Sequence, residues 1–385
     1  MCGIAGEVGK TLDVNNEKYN KMKAAISRRG PDQSGVYGCE NAVLVHTRLA
    51  VIDIEKGKQP MIFKDSGAEF TLVYNGELYN TNELRAQLVC AGYSFDTHSD
   101  TEVLLKAYVH WGAQCVKHLN GIYAFAVWEK HQNRLFLARD RIGVKPLFYA
   151  FTENGLVFAS EIKALLMSGA VPPEIDINGI SELILLGPGR TPGCGVFKGV
   201  YELPRATCGY FENGRLKLEK YWELTKINHT DSFEETAENV RFLLTDAIER
   251  QLVSDVPIGT FLSGGLDSSI ISSVAAKYLK KRGETLHTFT VDYEDNDKYF
   301  KASKFQPNTD ADFAWQMNDY LGAKNHKVEI NTENLAGALD LAVDARDLPG
   351  MADVDASLLL FCKEIKGQCT VALSGECADE TAHLR

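Results

Sequence analysis

Two hydrophobic rhythms divide the chain, and the change falls between residues 212 and 230. In the front part short apolar runs alternate with Gly or Asn turns, which predicts strands over 4–8, 42–51, 70–74, 123–129, 134–138 and 147–151. Two helices interrupt them. The second opens on Ser99-Asp100-Thr101-Glu102, a capping-box pattern, and continues apolar at Val103, Leu104 and Ala107. The Gly- and Pro-rich stretch 187–195 reads as part of the connection between domains, and strands near 207–211 and 216–218 close the first of them. From Ser232 the order becomes helix-strand-helix-strand. Ser232 and Glu235 cap a helix with Val240, Leu243, Leu244, Ala247, Ile248 and Leu252 on one face. Strands follow over 258–262, 286–291, 327–330 and 370–373, an alternation that implies a parallel sheet covered by helices on both sides. The domains expected are 1–212 and 230–385.

Composition narrows the chemistry. A length of 385 residues suits two cores rather than one. The formal net charge of −11 argues against a nucleic-acid surface, and no apolar run reaches the ~20 residues that span a bilayer. The N-terminus lacks a signal-peptide layout, and nine irregularly spaced cysteines suit free thiols in a reducing, cytoplasmic setting. The sequon at Asn228 therefore carries no glycan, and Cys362, Cys369 and Cys377 read as buried small hydrophobes. With no HExxH or paired CxxC, no structural zinc site is expected.

Cysteine at position 2 stands out. Removal of Met1 would make Cys2 the N-terminus, carrying on one residue a thiol nucleophile and an α-amine able to take its proton. Four further segments accompany it: Arg28-Arg29-Gly30-Pro31-Asp32, His46 to Asp53, Tyr74 to Asn80, and Ser99 to Glu102. In this order, and with Arg139 to Leu147, they resemble the class II glutamine amidotransferases, whose N-terminal-nucleophile fold is an αββα sandwich. The resemblance implies that Cys2 attacks the glutamine side-chain amide to form a γ-glutamyl thioester. It makes the Asn75 carboxamide and the Gly76 N–H the oxyanion hole, with glycine at 76 letting the backbone approach the substrate. Arg48 would hold the glutamine α-carboxylate and Asp100 its ammonium, with Leu49, Ala50, Val51, Ile52 and Glu77 lining the pocket. Arg28, Arg29 and Asp32 are assigned to shaping it. Taken singly, these residues have plainer readings: a hairpin turn at Asn75-Gly76, a surface ion pair at Arg48, a helix-dipole contact at Asp100.

The second constellation is Ser263-Gly264-Gly265-Leu266-Asp267-Ser268-Ser269, placed between a strand and a helix. Backbone N–H groups at such a junction favour a phosphate or pyrophosphate. It is no Walker A loop, and Gly187-Pro188-Gly189 does not complete GxGxxG because Pro192 takes the last place. The pattern resembles the PP-loop of ATP-pyrophosphatases, which form adenylates. Together the two constellations resemble glutamine-hydrolysing asparagine synthetases of the B type. That resemblance implies glutamine, aspartate and ATP as substrates, with aspartate activated as β-aspartyl-AMP and ammonia reaching it through an internal tunnel. It places Leu262, Val291, Ser374 and Gly375 against adenosine and Ser263, Gly264, Gly265 and Ser268 in the ATP site. Asp267 and Asp379 would be Mg²⁺ ligands, and Glu376 would take part in forming the intermediate. A homodimer is compatible with it.

Two departures qualify the resemblance. Cys377 replaces a family glycine, and after Glu380 the family's long helical region, with its phosphate-contacting lysine, is absent. The expectation is a doubly wound adenine-nucleotide domain incomplete at its C-terminus, with intact glutaminase residues, an impaired synthetase half and an exposed apolar face. A glutaminase-only fragment and a non-catalytic glutamine- or ATP-binding module stay open as alternatives.

Overall fold

The computed structural model describes residues 1–301, 311–376 and 378. The chain divides into two compact units, Met1–Ile227 and Asn228–Arg385. No helix among the described residues is long and apolar enough to cross a membrane.

The first unit stacks two antiparallel six-stranded sheets. One runs in the order Val200–Glu202, Phe148–Phe151, Gly155–Ala159, Gly3–Gly9, Ala42–Arg48, Gln33–Cys39. The other runs Arg215–Lys220, Thr207–Glu212, Arg134–Arg139, Gly121–Glu129, Ala68–Leu78, Met61–Asp65. Period-2 alternation sorts side chains into separate layers. Val73, Ala124, Ala126, Leu135 and Leu137 meet Ile4, Leu44 and Phe158 between the sheets. Their neighbours Leu72, Tyr74, Phe125, Val127 and Phe136 point outward, beneath helices Thr81–Cys90 and Asp100–Trp111. Helices Glu17–Ala25 and Ile162–Met167 pack on the opposite sheet, completing the αββα order.

Several expectations are corrected here. The strand expected to stop at Tyr74 runs on to Leu78, and Asn75-Gly76 is no turn: these two residues pair with Ala124 and Tyr123. Pairing across the sheet overrides the local turn propensity of Asn-Gly. The strand expected over 42–51 ends at Arg48, whose side chain curls the following residues around itself. The 187–195 stretch lies inside the first unit and leads back into Val200–Glu202, which pairs with Phe148–Phe151. At residue 99 the Ser99 side chain accepts from the Thr101 N–H, but Glu102 does not close a box. Its carboxylate takes the N–H groups of Asp96 and Thr97 and pairs with Lys106.

The second unit holds a four-stranded parallel sheet in the order Lys324–Ile330, His287–Tyr293, Ile258–Phe261, Val371–Leu373. Alternation again divides its faces. Ile258, Val371 and Leu373 pack with Ile248 of helix Phe233–Gln251, with Leu252 just past its end, and with Ala275 and Leu279 of helix Leu266–Lys281. Phe261, Phe289, Val328 and Ala372 pack with Phe361 and Ile365 of helix Ala352–Ile365. The Ser232–Glu235 capping box forms as expected. Of the face expected on that helix, Ile248 and Leu252 are buried while Val240, Leu243 and Leu244 are exposed. Cys369 is buried, whereas Cys362 is exposed rather than buried; Cys377 lies outside the described residues.

Candidate functional site

Cys2 immediately precedes strand Gly3–Gly9, and its Sγ lies 3.7 Å from the Leu49 carbonyl. Arg29, at the end of a short turn, donates through Nε to the Cys2 carbonyl at 2.8 Å and pairs with Glu161 at 2.9 Å, tying the terminus down. Burial pushes the Cys2 thiol up, opposed by the Leu49 hydrogen bond and by the charges of the N-terminus and Arg48. The N-terminal amine moves the other way, down to about 6, because burial penalises its charged form and Arg29 and Lys145 add to the effect.

Arg48 is buried, which excludes the surface ion pair. Its Nη1 donates to Gln33 Oε1 and the Ile54 carbonyl, both at 2.9 Å, and its Nη2 to the carbonyls of Ile52 and Asp53, both at 2.8 Å. Every η N–H is therefore taken, and Arg48 shapes the 49–54 loop rather than presenting an open fork. Asp32 finishes that loop: its Oδ2 accepts the Ala50 N–H at 2.8 Å and its own N–H donates to the Arg48 carbonyl at 3.0 Å. The Leu49 carbonyl is thus held beside the thiol, and Ala50, Val51 and Ile52 follow it in the loop that Arg48 and Asp32 fix.

Asn75 gives the clearest chemical signal. It is 1% exposed, and both its amide nitrogen and its oxygen lack any hydrogen-bond partner. An unpaired buried carboxamide costs roughly 1–3 kcal/mol, so such a group calls for a ligand. His46, in strand Ala42–Arg48, contacts the Tyr74 carbonyl through Nε2 at 3.1 Å and so braces the peptide that carries Asn75. Burial holds the His46 ring neutral, its pKa down to about 4. Gly76 is required by packing: a Cβ there would lie 2.3 Å from the Ile122 carbonyl, a reason different from the substrate approach expected above. Asp100 begins its helix, but its Oδ2 accepts from the Tyr74 hydroxyl at 2.9 Å and the Leu78 N–H at 3.2 Å, so it binds the neighbouring strand. Burial pushes its carboxyl up, and that of Glu77 as well.

The second unit builds its candidate site from backbone. After strand Ile258–Phe261 the Leu262 N–H bonds the Phe289 carbonyl at 2.8 Å, and Gly264 turns the chain at φ +81°. A Cβ on Gly264 would also sit 2.5 Å from the Ala314 nitrogen. Ser268 Oγ joins Ser263 Oγ at 3.1 Å and the Gly265 carbonyl at 3.1 Å, fixing the turn from within. Gly265 has no side chain to cap helix Leu266–Lys281, which leaves first-turn N–H groups for an anion. A cavity of about 550 Å³ opens there. Leu262, Ser263, Gly265, Asp267, Ser268, Val291, Ser374, Gly375 and Glu376 all line it, whereas Gly264 supports it from behind. Phe289, Tyr293 and Phe361 supply an apolar wall that the sequence reading did not single out. Asp379 lies outside the described residues.

A glutamine amidotransferase domain family matches residues 1–222. The chain belongs to that family. An asparagine synthase family matches residues 239–383. "Asparagine synthetase [glutamine-hydrolyzing] 3" of Bacillus subtilis (strain 168) is 51% identical over 383 residues, 99% of this chain and 62% of that protein. "Asparagine synthetase [glutamine-hydrolyzing] 1" of the same organism is 34% identical over 99% of this chain and 58% of its own length. Asparagine synthetase B of Escherichia coli (strain K12) is 29% identical over 99% of this chain and 64% of its own. The chain thus spans about three-fifths of these curated relatives, 58% to 64% of their length. A solved glutamine phosphoribosylpyrophosphate amidotransferase from B. subtilis aligns at TM-score 0.45 and 16% identity over 85% of this chain and 81% of its own, too distant to add to the argument.

Within the family frame the structure adds residues to which sequence reading gave no role. Asp140 is fully buried, and its carboxylate gathers the N–H groups of Ile142, Gly143, Val144 and Lys145 at 2.7–3.2 Å. That loop carries Lys145 into the neighbourhood of Cys2 and Glu77. The segment from Arg139 to Leu147 was visible as a motif, but nothing local showed where its lysine would go.

Proposed function

We propose that the protein is a glutamine-hydrolysing asparagine synthetase in which the first unit releases ammonia from glutamine and the second activates aspartate with ATP. The observation that carries the reading is Asn75, a buried carboxamide without a hydrogen-bond partner, on the peptide braced by His46, whose strand partner Ile4 lies two residues from Cys2.

After loss of Met1, the freed α-amine of Cys2 takes the thiol proton, and the sulfur attacks the glutamine amide carbon. Negative charge developing on the carbonyl oxygen is met by the Asn75 amide N–H and the Gly76 backbone N–H; one such donor is worth ~2.7–4 kcal/mol. Collapse expels ammonia, protonated by the same amine, and leaves a γ-glutamyl thioester that water hydrolyses to glutamate. Arg48 holds the 49–54 backbone against the thiol, and a substrate carboxylate reaches its fork by displacing one of those carbonyls. Asp100, with its carboxyl buried, receives the substrate ammonium. In the second unit the N–H groups after Gly265 hold the ATP phosphates, and the Phe289–Phe361 wall and Val291 hold the adenine. Asp267 lines the cavity with no ion-pair partner among the described residues, so it suits a hard cation. It would hold Mg²⁺ together with phosphate oxygens, which neutralises pyrophosphate charge. The aspartate β-carboxylate attacks the α-phosphorus, pyrophosphate leaves, and ammonia displaces AMP to give asparagine.

The test is one incubation with glutamine, aspartate, ATP and Mg²⁺ in which glutamate, asparagine, AMP and pyrophosphate are all quantified. Equal asparagine, AMP and pyrophosphate, with glutamate at least matching them, is expected. Glutamate without AMP confines the reading to the first unit, and absence of glutamate overturns it.

A further inference from the structure

Strand Ala68–Leu78 loses a neighbour just where it carries Asn75. Strand Met61–Asp65 pairs with it only as far as Met61 opposite Leu72. In that register a longer ladder would set residue 59 opposite Tyr74 and residue 57 opposite Gly76. The backbone does not continue it. The Gly57 N–H turns back to the Asp53 carbonyl at 2.9 Å, and a side chain serves Tyr74 instead: Gln59 Oε1 accepts the Tyr74 N–H at 2.6 Å. Gln59 Nε2 donates to Thr101 Oγ1 at 3.3 Å, beside Asp100. Its carbonyl presses on strand Gln33–Cys39, where a Cβ at Gly35 would lie 2.3 Å from that oxygen. Gln59 is 8% exposed, so a buried carboxamide is held at both ends.

The open edge carries the second oxyanion donor. On the other side of the strand Gly76 lies opposite Tyr123, whose N–H and carbonyl both bond Asp140 rather than Gly76. Alternation along an antiparallel strand therefore turns the N–H groups of Tyr74, Gly76 and Leu78 toward the open edge. Gln59 takes the first, and Asp100 takes the third at 3.2 Å. A backbone ladder prolonged to residue 57 would cover the Gly76 N–H between them. A side chain at residue 59 satisfies Tyr74 and stops short of it. With His46 on the Tyr74 carbonyl, both peptide groups flanking Tyr74 are fixed by side chains. We infer that Gln59 is a positioning residue for the oxyanion hole, holding the 74–76 backbone from which both donors project while leaving Gly76 uncovered. The assignment rests on the glutamine-cleaving reading for its purpose and on this edge geometry for its physics.

The experiment measures steady-state glutamate release and thermal unfolding of the intact protein for wild type, Gln59→Met, Gln59→Glu, Asn75→Ala and the double variant Gln59→Met/Asn75→Ala. Gln59→Met fills the same space without an acceptor, and should lower kcat about tenfold with KM for glutamine changed by less than about twofold. Gln59→Glu keeps an acceptor at Tyr74 and should recover most of that loss. In the Asn75→Ala background the methionine should cost no more than about twofold, because a side chain that acts through the donor has little left to place. If Gln59→Met does not fold, Thr101→Val frees the Nε2 end alone and should give a smaller fall in kcat, again with KM held. An unchanged kcat in Gln59→Met, or the full tenfold loss repeated in the Asn75→Ala background, overturns the role while wild-type glutamate release still supports the glutamine-cleaving reading. No glutamate from wild type overturns that reading and the assignment with it.

Discussion

The two candidate sites are built on opposite plans. In the first unit, side chains from separate elements converge in a buried space: Cys2, Arg29, Arg48, Asn75, Asp100 and Lys145 each come from a different stretch of chain. In the second, one strand-loop-helix junction supplies backbone N–H groups, and the cavity is an open shelf on which Leu266 is 77% exposed. A tetrahedral oxyanion needs donors fixed before the reaction, inside a site that excludes water. A triphosphate brings its own charge and needs only aligned amides and a cation. The first plan is therefore sensitive to single side chains and the second to backbone geometry.

Substitutions can break that contrast. The largest effect belongs to Cys2→Ala, which should lower glutamate release by about 10⁴-fold or more while ATP binding, read by calorimetry, stays at the wild-type value. Asn75→Ala should cost about 10²–10³ in kcat for glutamate release. Since the Asn75 carboxamide has no hydrogen-bond partner among the described residues, truncating it should not lower the melting temperature, and a marked drop would show a structural role instead. His46 sharpens the comparison through pH. Its folded value of about 4 lies below the ordinary 6.5, so between these values the unfolded chain binds the extra proton. Stability should fall as pH drops from about 6.5 toward 4, by up to about 3 kcal/mol, and stay flat above 7. Urea unfolding of wild type and His46→Gln at pH 7.5 and 4.5 checks this, since the variant should lose that share of the acid sensitivity. Gly264→Ala must adopt φ +81° and press a methyl group to 2.5 Å from the Ala314 nitrogen. It should weaken ATP binding and destabilise the second unit by about 1–3 kcal/mol, with glutamate release unchanged. Smallest is Ser232→Ala, which opens the capping box for about 1 kcal/mol in thermal unfolding and touches neither activity.

The same contrast explains what could be read from sequence. The junction at 258–269 was legible almost completely, because strand, glycines and helix are neighbours in the chain and their order alone builds the anion site. The parallel sense of the sheet and the capping box at Ser232 were legible for the same reason. In the first unit the motifs showed which residues matter but not how they are arranged. Asn75-Gly76 has the local chemistry of a turn, yet pairing with 121–129 keeps it in a strand. Arg48 looked like an open fork, and only the fold shows its donors spent on Ile52, Asp53, Ile54 and Gln33. Lys145 could not be placed at all without Asp140, whose carboxylate folds the loop that delivers it. Strands Gln33–Cys39, Met61–Asp65, Gly155–Ala159 and Val200–Glu202 were missed; they are short or mixed in polarity, and three of them, all but Gly155–Ala159, lie at sheet edges, where pairing rather than hydrophobicity defines them.

The most direct measurement treats the purified protein with a glutamine-mimicking diazoketone and maps the adduct by peptide mass spectrometry. A processed chain starting at Cys2, with a single adduct on that sulfur suppressed by excess glutamine, is the predicted result. Retention of Met1 together with an unmodified Cys2 would contradict it.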